Sequence, residues 1–250
     1  MSQLYKYNYL SGCSIINDLL KSDLQLLLNP AWESLQDLQK DLGTHHGAAS
    51  IYDMQVSPFG AVRDASEEAM QDLACLCSPG RVVLVMFKDH PLAVLDAFEL
   101  VESSEVLQMV HTGIHPHLEF DGIPLSNNHV EQMRQLVKLT NPGPFGKRTI
   151  EMGNYCGIEE AGRLLAMAGE RFKPSGWVEI SGVCSHPDGR GKGYAAGLVS
   201  YLLSAIKNRS QQAFLHVRVG SPSEKTAVGV YERLGFEYHQ TMKIGVLRRI

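Results

Sequence analysis

The stretch that most constrains this chain runs from Trp177 to Gly197, WVEISGVCSHPDGRGKGYAAG. Trp177, Val178, Ile180 and Val183 are aromatic or β-branched, the residues that suit a pleated, half-buried strand. Pro187, Asp188 and Gly189 stop that strand. Arg190, Gly191, Lys192 and Gly193 then open a segment in which Ala195, Leu198, Leu202 and Ile206 recur with helical spacing. A strand, a glycine-rich turn and a helix start form an arrangement suited to phosphate. Glycines let the backbone approach closely, and the helix N-terminus offers unpaired N–H groups and a partial positive charge.

Two kinds of phosphate loop could use these glycines. Gly191-Lys192-Gly193-Tyr194-Ala195-Ala196 matches the dinucleotide pattern G-x-G-x-x-A. That pattern follows its strand directly and places an acidic residue at the end of the next strand. Here residues 185–189 intervene, the next strand candidate (214–219) ends without a carboxylate, and too little chain follows for a doubly wound domain. The dinucleotide reading fails.

The other reading is Arg190-Gly191-Lys192-Gly193-Tyr194-Ala195, which resembles the [Q/R]-x-x-G-x-[G/A] pyrophosphate loop of the GNAT superfamily of N-acetyltransferases. Ser185-His186-Pro187 stands where that superfamily passes from strand to loop. Phe214-Leu215-His216-Val217 looks like the strand after its helix. Ala227, Val230, Tyr231, Glu232, Leu234, Gly235 and Phe236 resemble its A-x-x-x-Y-E-x-x-G-F ending. The run T-x-P-G-P-F-G-x-R-T at 140–149, with Glu151, Tyr155, Gly157-Ile158, Ala168-Gly169-Glu170-Arg171 and Glu179-Ile180-Ser181, is similar to a branch with a divergent N-terminal half. Its C-terminal domain resembles that of glycine N-acyltransferases. The resemblance covers residues 130–240 most strongly.

This resemblance implies an α/β (α+β) fold with a mixed, largely antiparallel sheet flanked by helices. Residues 126–250 would form the catalytic domain. Residues 1–125 would form an α/β half whose layout fits a degenerate second copy. It also implies an acyl-CoA-dependent N-acyltransferase that moves an acetyl group from acetyl-CoA to a primary amine by direct attack in a ternary complex. The alternative is a non-catalytic acyl-CoA-binding or regulatory protein that keeps the fold. The loop Arg190, Gly191, Lys192, Gly193, Tyr194, Ala195 and Ala196 would hold the pyrophosphate of coenzyme A. Val183, Cys184 and Ser185 would pair with its pantetheine arm, and the Val183 N–H would face the oxyanion.

Tyr231 matches the tyrosine that protonates the departing thiolate in many family members, although a helical tyrosine also commonly just packs its ring. Glu179, eleven residues before Arg190, matches a strand glutamate that serves as general base in histone acetyltransferases. Partial burial in the cleft would raise its pKa toward neutrality, and the rival reading is an ion-paired strand residue. Phe145, in the stiff loop at 140–146, would line the acceptor pocket. Glu224 departs from the family, which usually has an asparagine there on the pantetheine. Cys184 and His186 fall on one side of a strand, so a cysteine nucleophile is conceivable, but a small core residue is the simpler reading.

Composition narrows the partners. A formal net charge of −4 argues against nucleic acid, whose phosphates call for clustered Lys and Arg. No apolar run approaches the roughly 18 residues of a membrane span, and the N-terminus lacks the charged start and apolar core of a signal peptide. The expected partner is a small-molecule or peptide amine, in the cytoplasm, with the chain a monomer or homodimer. Five cysteines form an odd set without zinc spacing, and Cys75-x-Cys77 is too tight for a C-x-x-C pair. His45-His46 and His115/His117 do not cluster as metal ligands do, so no metal is expected and solvated loop histidines are the default.

Periodicity gives the remaining elements. Helices are expected over 15–28, over 31–42 ending at Gly43, after a Ser66 cap, and over 129–139. Strands are expected at 81–87, 98–101 and 106–110. Residues 115–128 read as a linker. Residues 164–172 suit a helix by propensity, but the resemblance calls for a strand. The tail, 236–250, reads as two short strands.

Overall fold

The computed structural model describes residues 24–88, 96–113, 118 and 122–250. In the first half, helix α1 (Pro30–Gln36) precedes strands β1 (Gly43–His46), β2 (Ala49–Tyr52) and β3 (Phe59–Val62). Helix α2 (Glu67–Leu76) then leads to β4 (Val82–Phe87) and β5 (Phe98–His111). After the short β6 (Ile123–Pro124), the second half follows the same plan. Helix α3 (Val130–Thr140) precedes β7 (Tyr155–Glu160), β8 (Arg163–Glu170) and β9 (Trp177–Ser185). Helix α4 (Tyr194–Asn208) leads to β10 (Gln212–Arg218), and helix α5 (Glu224–Arg233) to β11 (Phe236–Arg249).

Among the described residues, eleven strands form one sheet, in the order β1-β2-β3-β4-β11-β5-β10-β9-β8-β7-β6. Apart from β6, the order has the same plan from either side of its centre. Each half makes an antiparallel trio, then a parallel pair (β3–β4, β9–β10) joined by a crossover helix, as parallel strands require. The last long strand of each half lies inside the other half's territory: β5 sits between β10 and β11, and β11 between β4 and β5. The expected boundary near residue 126 therefore does not divide the sheet.

Residue alternation sorts the helices onto the two faces. Val178 and Ile180 pack with α4 and α5, while Trp177 and Phe214 pack with α1. Val83 and Val85 likewise face α2, and Leu84 and Met86 face the α1 cluster. Helices α2, α4 and α5 thus cover one face, and α1 and α3 the other, α3 through Met133 and Leu136 against Tyr155, Met167 and Cys184.

Several expectations needed correction. The tail is one strand of 14 residues. A register shift between Tyr238 and Gln240 reverses its alternation, which is why it reads as two pieces. Residues 98–101 and 106–110 also belong to one strand of 14 residues, whose acidic and serine-rich middle is paired to β11. The helix expected over 31–42 ends at Gln36, a 3-10 turn covers Lys40–Leu42, and Gly43 opens β1 instead of closing a helix. His45 and His46 therefore lie on a strand, His45 bonded to Ser50 and to the Lys40 carbonyl. The helix expected over 15–28 lies mostly outside the described residues, and its end, Leu26–Leu28, is a 3-10 turn. Within the region read as a linker, β6 and a 3-10 turn at Asn127–His129 are formed. Ser66 does cap α2, accepting from the Ala69 N–H at 3.2 Å, and residues 163–170 are a strand.

Candidate functional site

The glycine-rich turn takes the form its composition suggests. Strand β9 ends at Ser185, a 3-10 turn covers Pro187–Gly189, and Gly191 and Gly193 adopt φ of 75° and 79°. Those left-handed values favour glycine, and a Cβ at either position would meet nothing within 4 Å, so the loop is open on that side. Gly193 is the N-cap of α4, and no side chain caps the helix. The first-turn amides, including those of Tyr194, Ala195 and Ala196, therefore lack intrahelical acceptors, as helix N-termini that bind anions do. Residues 190–193 are exposed and 194–197 half-buried. The Lys192 side chain does not point into this cradle: its ammonium lies 3.3 Å from Glu160, whose carboxylate also accepts from the Tyr194 hydroxyl. Those hydrogen bonds, Tyr194 first and Lys192 second, hold the Glu160 carboxyl below its usual range.

Beneath this helix start the sheet opens. Parallel pairing of β9 with β10 runs from Trp177↔Gln212 to Ile180↔Leu215 and stops there. Beyond it, β9 pairs only with β8, and β10 only with β5. The cause is a bulge. Met167 faces Cys184 and Gly169 faces Ser181, so β9 carries one residue more than β8 between those points. Gly182 absorbs the kink at φ 63°. Residues 178–180 and 213–215 are buried, whereas 181–183 and 216 are half-buried. The backbone of Ser181, Gly182 and Val183 is thus left without a strand partner on the β10 side. Cys184 is buried and Ser185 half-buried beyond it.

Tyr231 lies on α5 in the core cluster shared with Val178 and Ile180. Its ring stands edge-on to Phe236, with centroids 5.9 Å apart, and no hydrogen bond joins its hydroxyl to another described residue. Burial, with a smaller contribution from Cys184, pushes its pKa above the ordinary tyrosine value, so the proton stays on the oxygen at neutral pH. Burial also pushes the Cys184 thiol up to about 12. A thiol held protonated is a poor nucleophile. Moreover, His186 is engaged by the Asp188 N–H and by Arg163 instead of by the Cys184 thiol.

Glu179 overturns one expectation. It lies on the α1 face, fully buried (0% exposed), with Arg171 donating from Nε to Oε2 at 2.8 Å and from Nη2 to Oε1 at 2.5 Å. His216 Nδ1 lies 2.7 Å from Oε1, and this contact places the imidazole proton on Nδ1. Burial alone would raise the Glu179 pKa, but Arg171 and then His216 outweigh it and hold the carboxyl at about 2. The expected rise toward neutrality is therefore reversed. The network continues through Gln108, which contacts His216 Nε2 at 3.0 Å and accepts from Gln240 at 2.7 Å. Both glutamines donate to the Leu27 carbonyl. This chain of polar contacts ties β9, β10, β5 and β11 to the N-terminal segment.

Phe145 is half-buried, edge-on to Tyr155 with centroids 5.6 Å apart. Its loop is anchored to the first half of the chain. The Arg148 N–H donates to the Gln55 carbonyl at 2.8 Å, Thr149 donates to the Val56 carbonyl, and Arg148 pairs with Asp53 at 2.8 Å. A Cβ at Gly146 would stand 2.3 Å from the Gln55 carbonyl, which explains glycine there. Glu224, where the family usually has asparagine, folds back to accept from the Gly220 N–H at 2.6 Å and closes its own loop. Arg171, His216 and the Gly182 bulge were not singled out from sequence. A glycine inside a β-branched strand was the available signal for the bulge.

Comparison with known proteins agrees with this geometry. A family profile described as FR47-like protein matches residues 155–244. A solved structure from Novosphingobium aromaticivorans, described as an acetyltransferase of the GNAT family, shares 30% identity over 90% of this chain and 98% of its own, with a TM-score of 0.79. A GCN5-related N-acetyltransferase from Kribbella flavida shares the fold at 17% identity and a TM-score of 0.57, over 86% of this chain and 95% of its own. A GCN5-related N-acetyltransferase-like protein from Streptococcus suis does so at 15% identity and 0.57, over 91% and 98%. No curated protein matches the chain. With an uncapped helix start above a parallel pair forced apart by a glycine bulge, and a GNAT relative aligned over nearly its whole length, the chain belongs to the GNAT family.

Proposed function

We propose that this protein is an acyl-CoA N-acyltransferase that moves an acetyl group from acetyl-CoA to a primary amine by direct attack. The observation that carries this reading is the opening of β9 from β10 after Ile180/Leu215, directly below the uncapped start of α4. The open left-handed glycines 191 and 193 fit a diphosphate held by backbone amides. The β9 backbone at 183–185, open on the β10 side, offers the edge along which an extended pantetheine amide chain pairs. An N–H at the bulge, that of Val183, stabilises the oxyanion, and the Tyr231 hydroxyl gives its proton to the departing thiolate. A protein that merely bound acyl-CoA would have no use for an unpartnered tyrosine hydroxyl at that opening.

Glu179 has a different part from the one expected of it. A carboxylate held by Arg171 and His216 and titrating near 2 is a weak proton acceptor at neutral pH. We assign it to fixing the end of the parallel pair, while the amine loses its proton to solvent before attack. We read the first half as a degenerate second copy that has lost its phosphate site. Its strand-to-helix turn, residues 63–66, has no glycine, Ser66 caps α2, and Glu67 and Glu68 occupy the first turn, where they repel an anion.

Calorimetric titration with coenzyme A tests the donor site. Gly193→Asp, which sets a carboxylate beside the amides, should weaken binding by more than tenfold, about 1.4 kcal/mol. Equal affinity in a folded variant would remove the phosphate assignment.

A further inference from the structure

Tyr155 has a position that the reading above leaves without a task. It lies on β7, yet its ring extends across β8 to β9. A Cβ on Gly169 would stand 2.1 Å from Tyr155 Cδ1, and one on Gly182 would stand 3.7 Å from Cε1. Gly169 thus clears a path for this ring, which ends in contact range of Gly182, the bulge that opens the sheet. Phe145 supports the ring edge-on, and Met133, Leu136 and Met167 complete its apolar surround.

The hydroxyl at the end of that ring has no hydrogen-bond partner among the described residues, although Tyr155 is only 5% exposed. It lies in the electrostatic reach of Arg171, Glu179, Glu170 and Cys184, and burial holds it protonated. Tyr231 also feels Cys184, from the opposite face of the sheet. Tyr155 thus meets the Gly182 bulge from the α3 face, while Tyr231 belongs to the core on the α5 face.

We propose that Tyr155 contacts the acceptor: its hydroxyl accepts a hydrogen bond from the attacking amine and orients it at the Gly182 bulge, opposite the Tyr231 hydroxyl. This inference rests on the acyl-transfer reading. Gly169 is then required to seat the ring, and Phe145 acts by holding it.

The test is steady-state kinetics of Tyr155→Phe against wild type, with acetyl-CoA as donor. Glycine, lysine, spermidine and phenethylamine are the acceptors, the fastest of them being carried through. The variant should raise the KM for that amine, or lower kcat/KM for it, by about tenfold or more, with the KM for acetyl-CoA within twofold of wild type. Because the hydroxyl has no partner to lose, the melting temperature should be unchanged or higher. Unchanged kinetic constants would overturn the proposal, as would a change confined to acetyl-CoA or a fall in melting temperature large enough to explain the loss. Failure of the wild type itself to acetylate any of the four amines would count against the acyl-transfer reading instead.

Discussion

Replacing Glu179 by Gln separates a structural carboxylate from a catalytic one. The folded carboxyl titrates at about 2, against 4.5 for an ordinary glutamate. At about 1.4 kcal/mol per unit, that difference is worth roughly 3–4 kcal/mol of stability at neutral pH. The cost of breaking a buried ion pair, roughly 3–5 kcal/mol, is of the same order, since the variant strands Arg171 in the interior. For a protein of this size, about 3 kcal/mol lowers Tm by roughly 10 °C. The sign with pH follows from the depressed pKa. The stabilisation is complete above the unfolded value near 4.5 and is lost as pH falls through the folded value near 2. The wild type should therefore outmelt Glu179→Gln by a constant margin above about pH 5, and the margin should close toward pH 2. Thermal denaturation followed by circular dichroism measures this. The reasoning is refuted if the two proteins melt within about 2 °C of one another. A kcat/KM lowered by roughly 10² or more, with a deficit that shrinks as pH rises, would return the base role to Glu179.

Other outcomes follow from the same contacts. Tyr231→Phe should lower kcat with little change in coenzyme A affinity, measured by steady-state rates and calorimetry; equal turnover would leave Tyr231 as ring packing only. Residues 126–250 expressed alone lack β5, the neighbour of both β10 and β11, so that fragment should show no cooperative melt by circular dichroism. Gly182→Ala forces an alanine to φ near 63° beside the Tyr155 ring, at about 1–2 kcal/mol, and should lower kcat more than it lowers Tm.

The phosphate loop was legible because its chemistry is local. Glycines 191 and 193, the preceding β-branched strand and the following helical repeat lie in consecutive residues, and each type is needed for a reason that sequence displays. Ser66 was legible for the same reason. What stayed hidden depends on neighbours distant in sequence. The alternation of β11 changes phase at Tyr238/Gln240, and only its pairing with β5 shows one strand instead of two. Strands β1 to β3 are short and close-turned, and 43–62 carries too few apolar repeats to declare them. The charge state of Glu179 is set by Arg171, eight residues away, and by His216 on the next strand. A rule that partial burial raises a carboxyl pKa gave the wrong sign, because the Arg171 guanidinium and the His216 hydrogen bond outweigh burial. The packing of Tyr155 over Gly169 and Gly182 spans three strands, which no local pattern encodes.

The central claim is that an opened parallel pair beneath an uncapped helix transfers an acyl group. The most direct measurement incubates the protein with acetyl-CoA and the four amines, counts free thiol released, and identifies the acetylated amine by mass spectrometry. The account predicts one equivalent of N-acetyl amine per thiol, abolished or strongly reduced in Gly193→Asp. Thiol release without an acetylated amine, or no release although coenzyme A binds, would contradict it.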